Sequence, residues 1–224
     1  MIPHRTPLRI VGDVHGDATG LAAAAATDRF IIQLGDLVDD GPDTPGALRI
    51  MFDLIDRKQG IFLLGNHDFK LARALRGDAV QRNPGLAATL ATLDPQTAAR
   101  ALHEISRAPA WLRTHTTIFV HGSFHPAMLT EPPATMPAGR ANHLLARALY
   151  GQTTGRVTGT GKPERLLTWV DRIPANHTIY CGHDQRSTNG RPLTLHGSLG
   201  GQAVFMDTGA GKGGHLSWVD LPAE

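Results

Sequence analysis

Four short segments constrain this chain more than any other feature: GDVHGD at Gly12–Asp17, GDLVDDGPD at Gly35–Asp43, GNHD at Gly65–Asp68 and CGHD at Cys181–Asp184. Each follows an apolar run of strand length, passes through a glycine, and then presents Asp, His or Asn. Carboxylate and amide oxygens together with imidazole nitrogens are the donors that hold small divalent ions. A chain that repeats this arrangement must fold so that several buried strands end at one place.

The first half supplies the elements for such a fold. Leu8–Val11, Phe30–Leu34 and Ile61–Leu64 are apolar runs, each followed by glycine and polar residues. Between them, Asp17–Ala26 and Pro45–Lys58 read as helices, with Pro45 suited to a first turn and Leu48, Met51, Phe52 and Ile55 at helical spacing. This β-α-β-α-β order predicts a sheet whose strands empty their C-terminal ends onto one edge, where open α/β folds place their chemistry. Phe69–Arg76 reads as a further helix, and Leu86–Ile105 as helices broken near Asp94-Pro95. Thr117–Val120, Thr178–Cys181 and Ala203–Met206 read as strands, and His215–Val219 as a strand closing the sheet. Pro126–Gly139 and Gly151–Gly161 read as a proline-rich surface excursion and a loop.

Composition narrows the class. With 224 residues, 41% of them hydrophobic, the chain can bury one sizeable core, and residues 1–224 are expected to form a single domain. A formal charge of +2 permits nucleic acid as a partner without indicating it. The single cysteine, Cys181, cannot form an internal disulfide. No apolar run reaches membrane-spanning length, and the start of the chain reaches its first strand too soon for a secretory apolar stretch. A cytoplasmic protein without a membrane or obligate protein partner is the expectation.

The donors can be weighed singly. Asp13 and His15 flank Val14, and residues two apart on an extended segment point the same way, so both can reach one ion. Asp36 offers an anionic oxygen able to bridge two cations. Asn66 offers a neutral oxygen and His67 a titratable imidazole. His121 after IFV and His183 after YCG repeat the pattern of strand, small residue and imidazole. Any one of these alone reads equally as a turn residue or a satisfied core histidine; six donors at five strand ends do not read as coincidence. Two ions a few Å apart can coordinate phosphoryl oxygens, acidify a shared water and hold it in line with a leaving oxygen.

In order, GDxHG, GDxVDxG, GNHD, an HG strand end and a GH strand end resemble the calcineurin-like metallophosphoesterases. The resemblance implies an α/β fold of two β-sheets sandwiched between helices. It further implies that Asp13, His15 and Asp36 bind one metal and that Asp36, Asn66, His121 and His183 bind the other. Water would attack the phosphoryl group directly as hydroxide on the metals, without a phospho-enzyme. His67 resembles the family's catalytic histidine, which protonates the leaving oxygen, with Asp39 orienting its ring. Mn²⁺ is the expected ion, with Fe, Zn, Ni or Co able to use the same donors. Within the family, GDLVDDGPDTPGALRIM, GNHDFKLARALRG, ALYGQTTG and MDTGAGKGGHLSW are most similar to the phosphatase module of bacterial polynucleotide kinase-phosphatases and its stand-alone relatives. That likeness implies phosphate mono- or diesters of nucleotides or nucleic-acid ends, 2′,3′-cyclic phosphates included, as substrates. A diadenosine-polyphosphate hydrolase, a protein Ser/Thr phosphatase and a metal-stabilised scaffold with decayed catalysis are the alternatives. Asp17 and Asp68 also stand where helix caps belong, and Asp207-Thr208-Gly209 reads equally as a site loop or a plain turn.

One departure bears on the substrate. Asp40 stands where the family carries a phosphate-gripping arginine, a change of two charge units. At roughly 6 Å and an effective dielectric of about 20, each unit is worth about 3 kcal/mol before relaxation and screening. A dianionic monoester is penalised more than a singly charged diester, unless another cation substitutes. Arg73 and Arg76 on the helix after GNHD and Arg186 after CGHD are the candidate substrate contacts beside Asp40, with Lys70 and Lys212 also available. An Asp40→Arg substitution is expected to raise turnover of nitrophenyl phosphate relative to bis-nitrophenyl phosphate; an unchanged ratio refutes the electrostatic reading.

Overall fold

The buried strands fall into two sheets that share a core. The computed structural model describes every residue except Met1, His4, Thr160, Lys162 and Glu224. In the first sheet, β1 (Leu8–Val11), β2 (Phe30–Gln33) and β3 (Gly60–Phe62) run parallel as neighbours. The last strand of the chain, β11 (Trp218–Leu221), pairs antiparallel with β1, Leu8 opposite Leu221. In the second sheet, β5 (Thr117–Val120), β8 (Thr178–Cys181) and β10 (Gln202–Phe205) run parallel. They are edged by the antiparallel strands β4 (Trp111–Arg113) and β9 (Leu193–His196).

Alternate residues of these strands fill two different layers. Leu8, Ile10, Phe30, Ile32, Phe119 and Val204 meet in the cluster that both sheets contribute to. Their neighbours Val11, Ile31, Ile118, Val120, Ile179 and Phe205 belong to a second, larger cluster with the helices. Being buried on both faces is why these runs read as continuously apolar.

Each helix starts at a side chain that accepts an otherwise orphaned amide. Asp17 caps α1 (Ala18–Ala25), accepting from the Gly20 amide at 2.9 Å, and Asp43 caps α2 (Thr44–Asp56), accepting from Gly46 at 2.7 Å. Asn83, Asp94 and Asn142 do the same for α4 (Pro84–Thr92), α5 (Pro95–Arg107) and α6 (His143–Tyr150). The exception is α3 (Asn66–Leu75), which begins at Gly65 and takes its cap from Asp68 inside its own first turn. No helix among the described residues is long and apolar enough to cross a membrane.

The structure departs from the sequence reading in five places, the first being the closing strand, which spans Trp218–Leu221 rather than His215–Val219. The segment read as a loop at Gly151–Gly161 contributes β6 (Thr153–Val157), which pairs antiparallel with β7 (Pro163–Arg165) in an arm. Every residue of β6 is exposed, so no apolar alternation marks it. Thr160 of that segment lies outside the described residues. The helix after GNHD begins at Asn66 rather than Phe69, which places Asn66 and His67 in its first turn. The proline-rich excursion is more than surface, since Met128 is buried and the Ala134 carbonyl accepts from the Ala110 amide at 2.7 Å. The strands β4 and β9 and the helix α6 add elements without an expectation.

Phe119 is fully buried and stacks on Tyr180 with ring centroids 5.9 Å apart. Phe119→Ala is expected to destabilise the fold by about 3–5 kcal/mol, read as a lowered urea midpoint with unchanged slope. A loss below about 1 kcal/mol would show that the two sheets do not depend on this layer.

Candidate metal centre

All six parallel strands deliver a polar side chain from their C-terminal ends, three from each sheet. Asp13 and His15 follow β1, Asp36 and Asp39 follow β2, and Asn66 and His67 follow β3. His121 follows β5, His183 follows β8 and Asp207 follows β10. The chain turns sharply to do this: His15, Asp36, Asp39, Asp40 and His183 have φ of +45°, +56°, +69°, +65° and +64°. Such left-handed conformations cost of order 1–3 kcal/mol per non-glycine residue, and their clustering points to function. Glycines make the approach possible. A Cβ on Gly65 would lie 2.1 Å from the Asp36 amide nitrogen, and one on Gly182 would lie 2.0 Å from an Asp13 carboxylate oxygen.

Two overlapping donor groups result. Asp13, His15 and Asp36 place one ligand atom each within 4.8 Å of one another, as do Asp36, His121 and His183. Asp36 belongs to both, as the resemblance implies for a bridging carboxylate. The imidazoles are held for ligation. Nδ1 of His15 donates to the Val38 carbonyl at 3.2 Å and Nδ1 of His121 to the Leu34 carbonyl at 3.0 Å, which turns both Nε2 atoms inward. Nε2 of His121 lies 3.0 Å from Asn66 Oδ1, bringing that amide to the same group. Nε2 of His183 is buried without a hydrogen-bond partner. A buried, unpartnered imidazole nitrogen beside mixed oxygen and nitrogen donors fits a pair of divalent cations. A third group of His15, Asp40 and His67 lies within the same limit but is less buried.

Electrostatics divides the donors by proton occupancy. Burial lowers His15 to about 4, helped by Lys212 against the pull of Asp36, and burial with His121 nearby holds His183 well below the ordinary histidine value. Both are neutral near pH 7. For His121, burial opposes the charge, but Asp36 outweighs it and pushes the imidazole up to about 9. Burial and the neighbouring Asp207 raise Asp13 well above the carboxylate range. Burial works against the Asp36 charge too, yet His121 and His67 outweigh it and hold that carboxyl well below its usual value.

His67 sits beside the donors rather than among them. Its Nδ1–H donates to Asp39 Oδ2 at 2.8 Å, and the Thr89 hydroxyl donates to the other oxygen of Asp39 at 2.7 Å. Nε2 consequently faces the centre, 4.0 Å from Asp36 Oδ2. Burial resists protonation of this ring, but Asp36 and Asp39 prevail and raise its pKa. Thr89 was not anticipated, because nothing in an Ala/Leu-rich helix fifty positions away marks it. Asp68, which read equally as a cap, does more than cap. Its carboxylate accepts from Gly65, Asp36 and Leu37 amides at 3.1, 2.7 and 3.0 Å and so ties the start of α3 to the loop after β2.

A cleft of about 580 Å³ opens onto the centre, lined by His15, Asp36, His67 and His183 with the cations Arg165, Arg186 and Lys212. A second groove of about 410 Å³ lies along Asn66, His67, Phe69, Lys70, Arg73 and Tyr150. Of the residues considered as substrate contacts, Arg186 therefore lines the cleft and Arg73 the groove. Arg76 lines neither. Its guanidinium donates to Asp78 and to the Pro137 carbonyl, because Asp78 just past the helix end captures it. Arg165 escaped the sequence reading because it lies in the unmarked arm.

Residues 6–186 match the family model described as calcineurin-like phosphoesterase. The chain belongs to this family. It is thus a metal-dependent hydrolase of phosphoric esters. Among curated relatives, a bis(5′-nucleosyl)-tetraphosphatase PrpE (asymmetrical) of Oceanobacillus iheyensis is 25% identical, covering 95% of this chain and 88% of the relative. One of the same name from Geobacillus thermodenitrificans is 27% identical over 95% and 89%. A protein serine/threonine phosphatase structure from Saccharomyces cerevisiae superposes with a TM-score of 0.63 at 12% identity, covering 98% of this chain and 81% of that one, a likeness of fold.

Metal loading requires a neutral His121, so binding expels the proton that this imidazole holds at neutral pH. Affinity for Mn²⁺ is therefore expected to rise with pH up to about 9, the value at which His121 loses its proton. The slope should be about tenfold per pH unit per proton released. Calorimetric titrations in buffers of differing protonation heat measure the release directly; pH-independent binding would contradict the donor assignment.

Proposed function

We propose that the chain hydrolyses dinucleoside polyphosphates, cleaving a phosphoric anhydride within the phosphate chain, with two Mn²⁺ ions. Asp13, His15 and Asp36 hold one ion, and Asp36, Asn66, His121 and His183 the other. Such ions polarise phosphoryl oxygens and acidify the attacking water. The observation that carries the substrate class is that His67 is a wall of both the cleft and the second groove. A phosphoryl group at the ions then has cations on either side: Arg165, Arg186 and Lys212 in the cleft, Lys70 and Arg73 in the groove. Tyr150, 42% exposed, offers a ring face at the groove for a base. A phosphomonoester or a cyclic phosphate occupies one of these grooves, whereas a nucleotide linked through its phosphates to another occupies both. The names of the relatives support the same reading.

His67 is the proton donor in this reaction. Its raised pKa favours the charged ring, Asp39 fixes that ring through Nδ1–H, and Nε2–H is left for the departing phosphate oxygen. Asp39, itself anchored by Thr89, positions rather than reacts.

His67→Ala is expected to lower kcat by on the order of 10²–10⁴ while Mn²⁺ content stays at the wild-type value. His183→Ala should lose metal. Equal metal loss in both variants would undo the division of roles. A panel of dinucleoside tetraphosphate, mononucleotides, 2′,3′-cyclic nucleotides, an RNA end and a phosphopeptide under saturating Mn²⁺ tests the substrate. The highest kcat/KM is expected for the tetraphosphate, and preference for the cyclic nucleotides or the RNA end would transfer the assignment to nucleic-acid ends.

A further inference from the structure

The cation that answers Asp40 comes from the other sheet. Lys212 Nζ lies 3.3 Å from Asp40 Oδ2 and 2.7 Å from His15 Nε2. The other cations considered as substitutes for the family arginine are placed elsewhere: Arg73 and Arg76 pair with Asp78, Arg186 pairs with Asp184, and Lys70 lines the second groove.

This juxtaposition is built by backbone. The loop after β10 turns through Gly209, Gly211 and Gly213, with φ of +79°, +70° and +88°. A Cβ on Gly211 would lie 2.2 Å from the His15 carbonyl oxygen. One on Gly41 would lie 1.9 Å from the same oxygen and 3.0 Å from the Gly211 Cα. Three loops, after β1, β2 and β10, thus pack main chain on main chain, and Asp40 and Lys212 are the side chains adjacent to that contact. Lys212 lines the cleft and Asp40 stands beside it, with side chains 35% and 29% exposed.

His15 Nε2 is also the nitrogen turned towards the donor group with Asp13 and Asp36. An ammonium and a metal ion cannot both take its lone pair. In the loaded centre Lys212 must yield Nε2, keep Asp40 and turn its remaining N–H groups into the cleft. There it meets a phosphoryl oxygen with the two N–H donors that Asp40 leaves free but, because Asp40 accompanies it, with no net charge. A lone arginine at position 40 offers donors and a full positive charge.

We propose that Asp40 and Lys212 act as one net-neutral phosphate clamp that selects singly charged, disubstituted phosphoryl groups over terminal dianionic ones. Internal phosphates of a dinucleoside polyphosphate and phosphodiesters are of the first kind, and phosphomonoesters of the second. The proposal rests on the hydrolase reading above and deepens it.

The test removes each charge separately. Asp40→Asn leaves Lys212 as an unneutralised cation and should raise the ratio of kcat/KM for nitrophenyl phosphate over bis-nitrophenyl phosphate roughly tenfold, one charge unit after solvent screening. Lys212→Met should raise KM for both substrates and Lys212→Arg should restore it, with Mn²⁺ content unchanged. Metal titration adds a readout without turnover, since Lys212→Met frees His15 Nε2 and should tighten Mn²⁺ binding in the absence of phosphate. An unchanged ester ratio in Asp40→Asn overturns the proposal. So does a Lys212→Met protein that loses melting temperature and metal together while keeping its KM, which would make Lys212 a loop anchor. Should the wild type turn over neither ester, the clamp is measured by calorimetry, and the hydrolase reading stands or falls on the dinucleoside tetraphosphate instead. Asp40→Asn is then expected to tighten inorganic phosphate, above its second pKa, more than dimethyl phosphate, and equal changes overturn the clamp.

Discussion

Buried like charge is the constraint on which this structure turns. Asp13, Asp36, Asp39, Asp68 and Asp207 are each at most 4% exposed and belong to one end of two facing sheets. Carboxylate oxygens of Asp13 and Asp36 lie within 4.8 Å of each other. At an effective dielectric of about 20, two full charges at that distance repel by about 3 kcal/mol, before the larger penalty of removing them from water. The protein spreads that penalty over three devices. Burial raises Asp68 to about 7 and lifts Asp207 and Asp13, so part of the charge is given up to protons. Backbone amides supply part, as where Asp68 accepts three and Asp13 accepts from His183 at 3.0 Å. His121 and His67 supply the rest around Asp36. Divalent cations replace the first and third devices with something stronger, which is why the arrangement makes sense as a metal centre and poorly as a polar core.

The scaffold bears this strain because it is stiff where the strain is applied. Six strands end at the site, and their side chains are packed on both faces. His15, Asp36 and His183 stand only four, three and two residues beyond the ends of β1, β2 and β8, so their left-handed turns cannot relax without pulling on the sheets. Asp68 adds a tie between β2 and α3, and its position inside the helix explains a cap that Gly65 cannot provide.

The sequence made this end of the molecule legible for the same reason. A strand buried on both faces reads as an unbroken apolar run, and the glycine that lets its end approach a neighbour marks where the run stops. Hence β1, β2, β5 and β8 and the donors beyond them stood out. What did not stand out lacks that signature. β4 is three residues long, and β6 and β7 are exposed and pair only with each other. Thr89 and Arg165 reach the site through tertiary packing or from that arm, and no local pattern records a partner so far away in sequence. Asp40 was conspicuous as a departure, but Lys212 was one of five candidate counterparts until the packing of Gly41 and Gly211 against the His15 carbonyl brought it to Asp40.

Two consecutive aspartates then resolve into two separate functions. Asp39 and Asp40 share a left-handed backbone, with φ of +69° and +65°, and this sends their side chains to different partners. Asp39 turns inward to His67 and Thr89, dry and fully hydrogen-bonded, where its charge holds a proton on one imidazole. Asp40 turns outward to Lys212, beside His15, where its charge is shared with solvent. An arginine at the second position would meet the same neighbours, His15 and Lys212, with opposite sign while leaving the first undisturbed. Charge preference for substrate can therefore change at position 40 without altering the proton donor or the ions, because the backbone turn insulates one acid from the other.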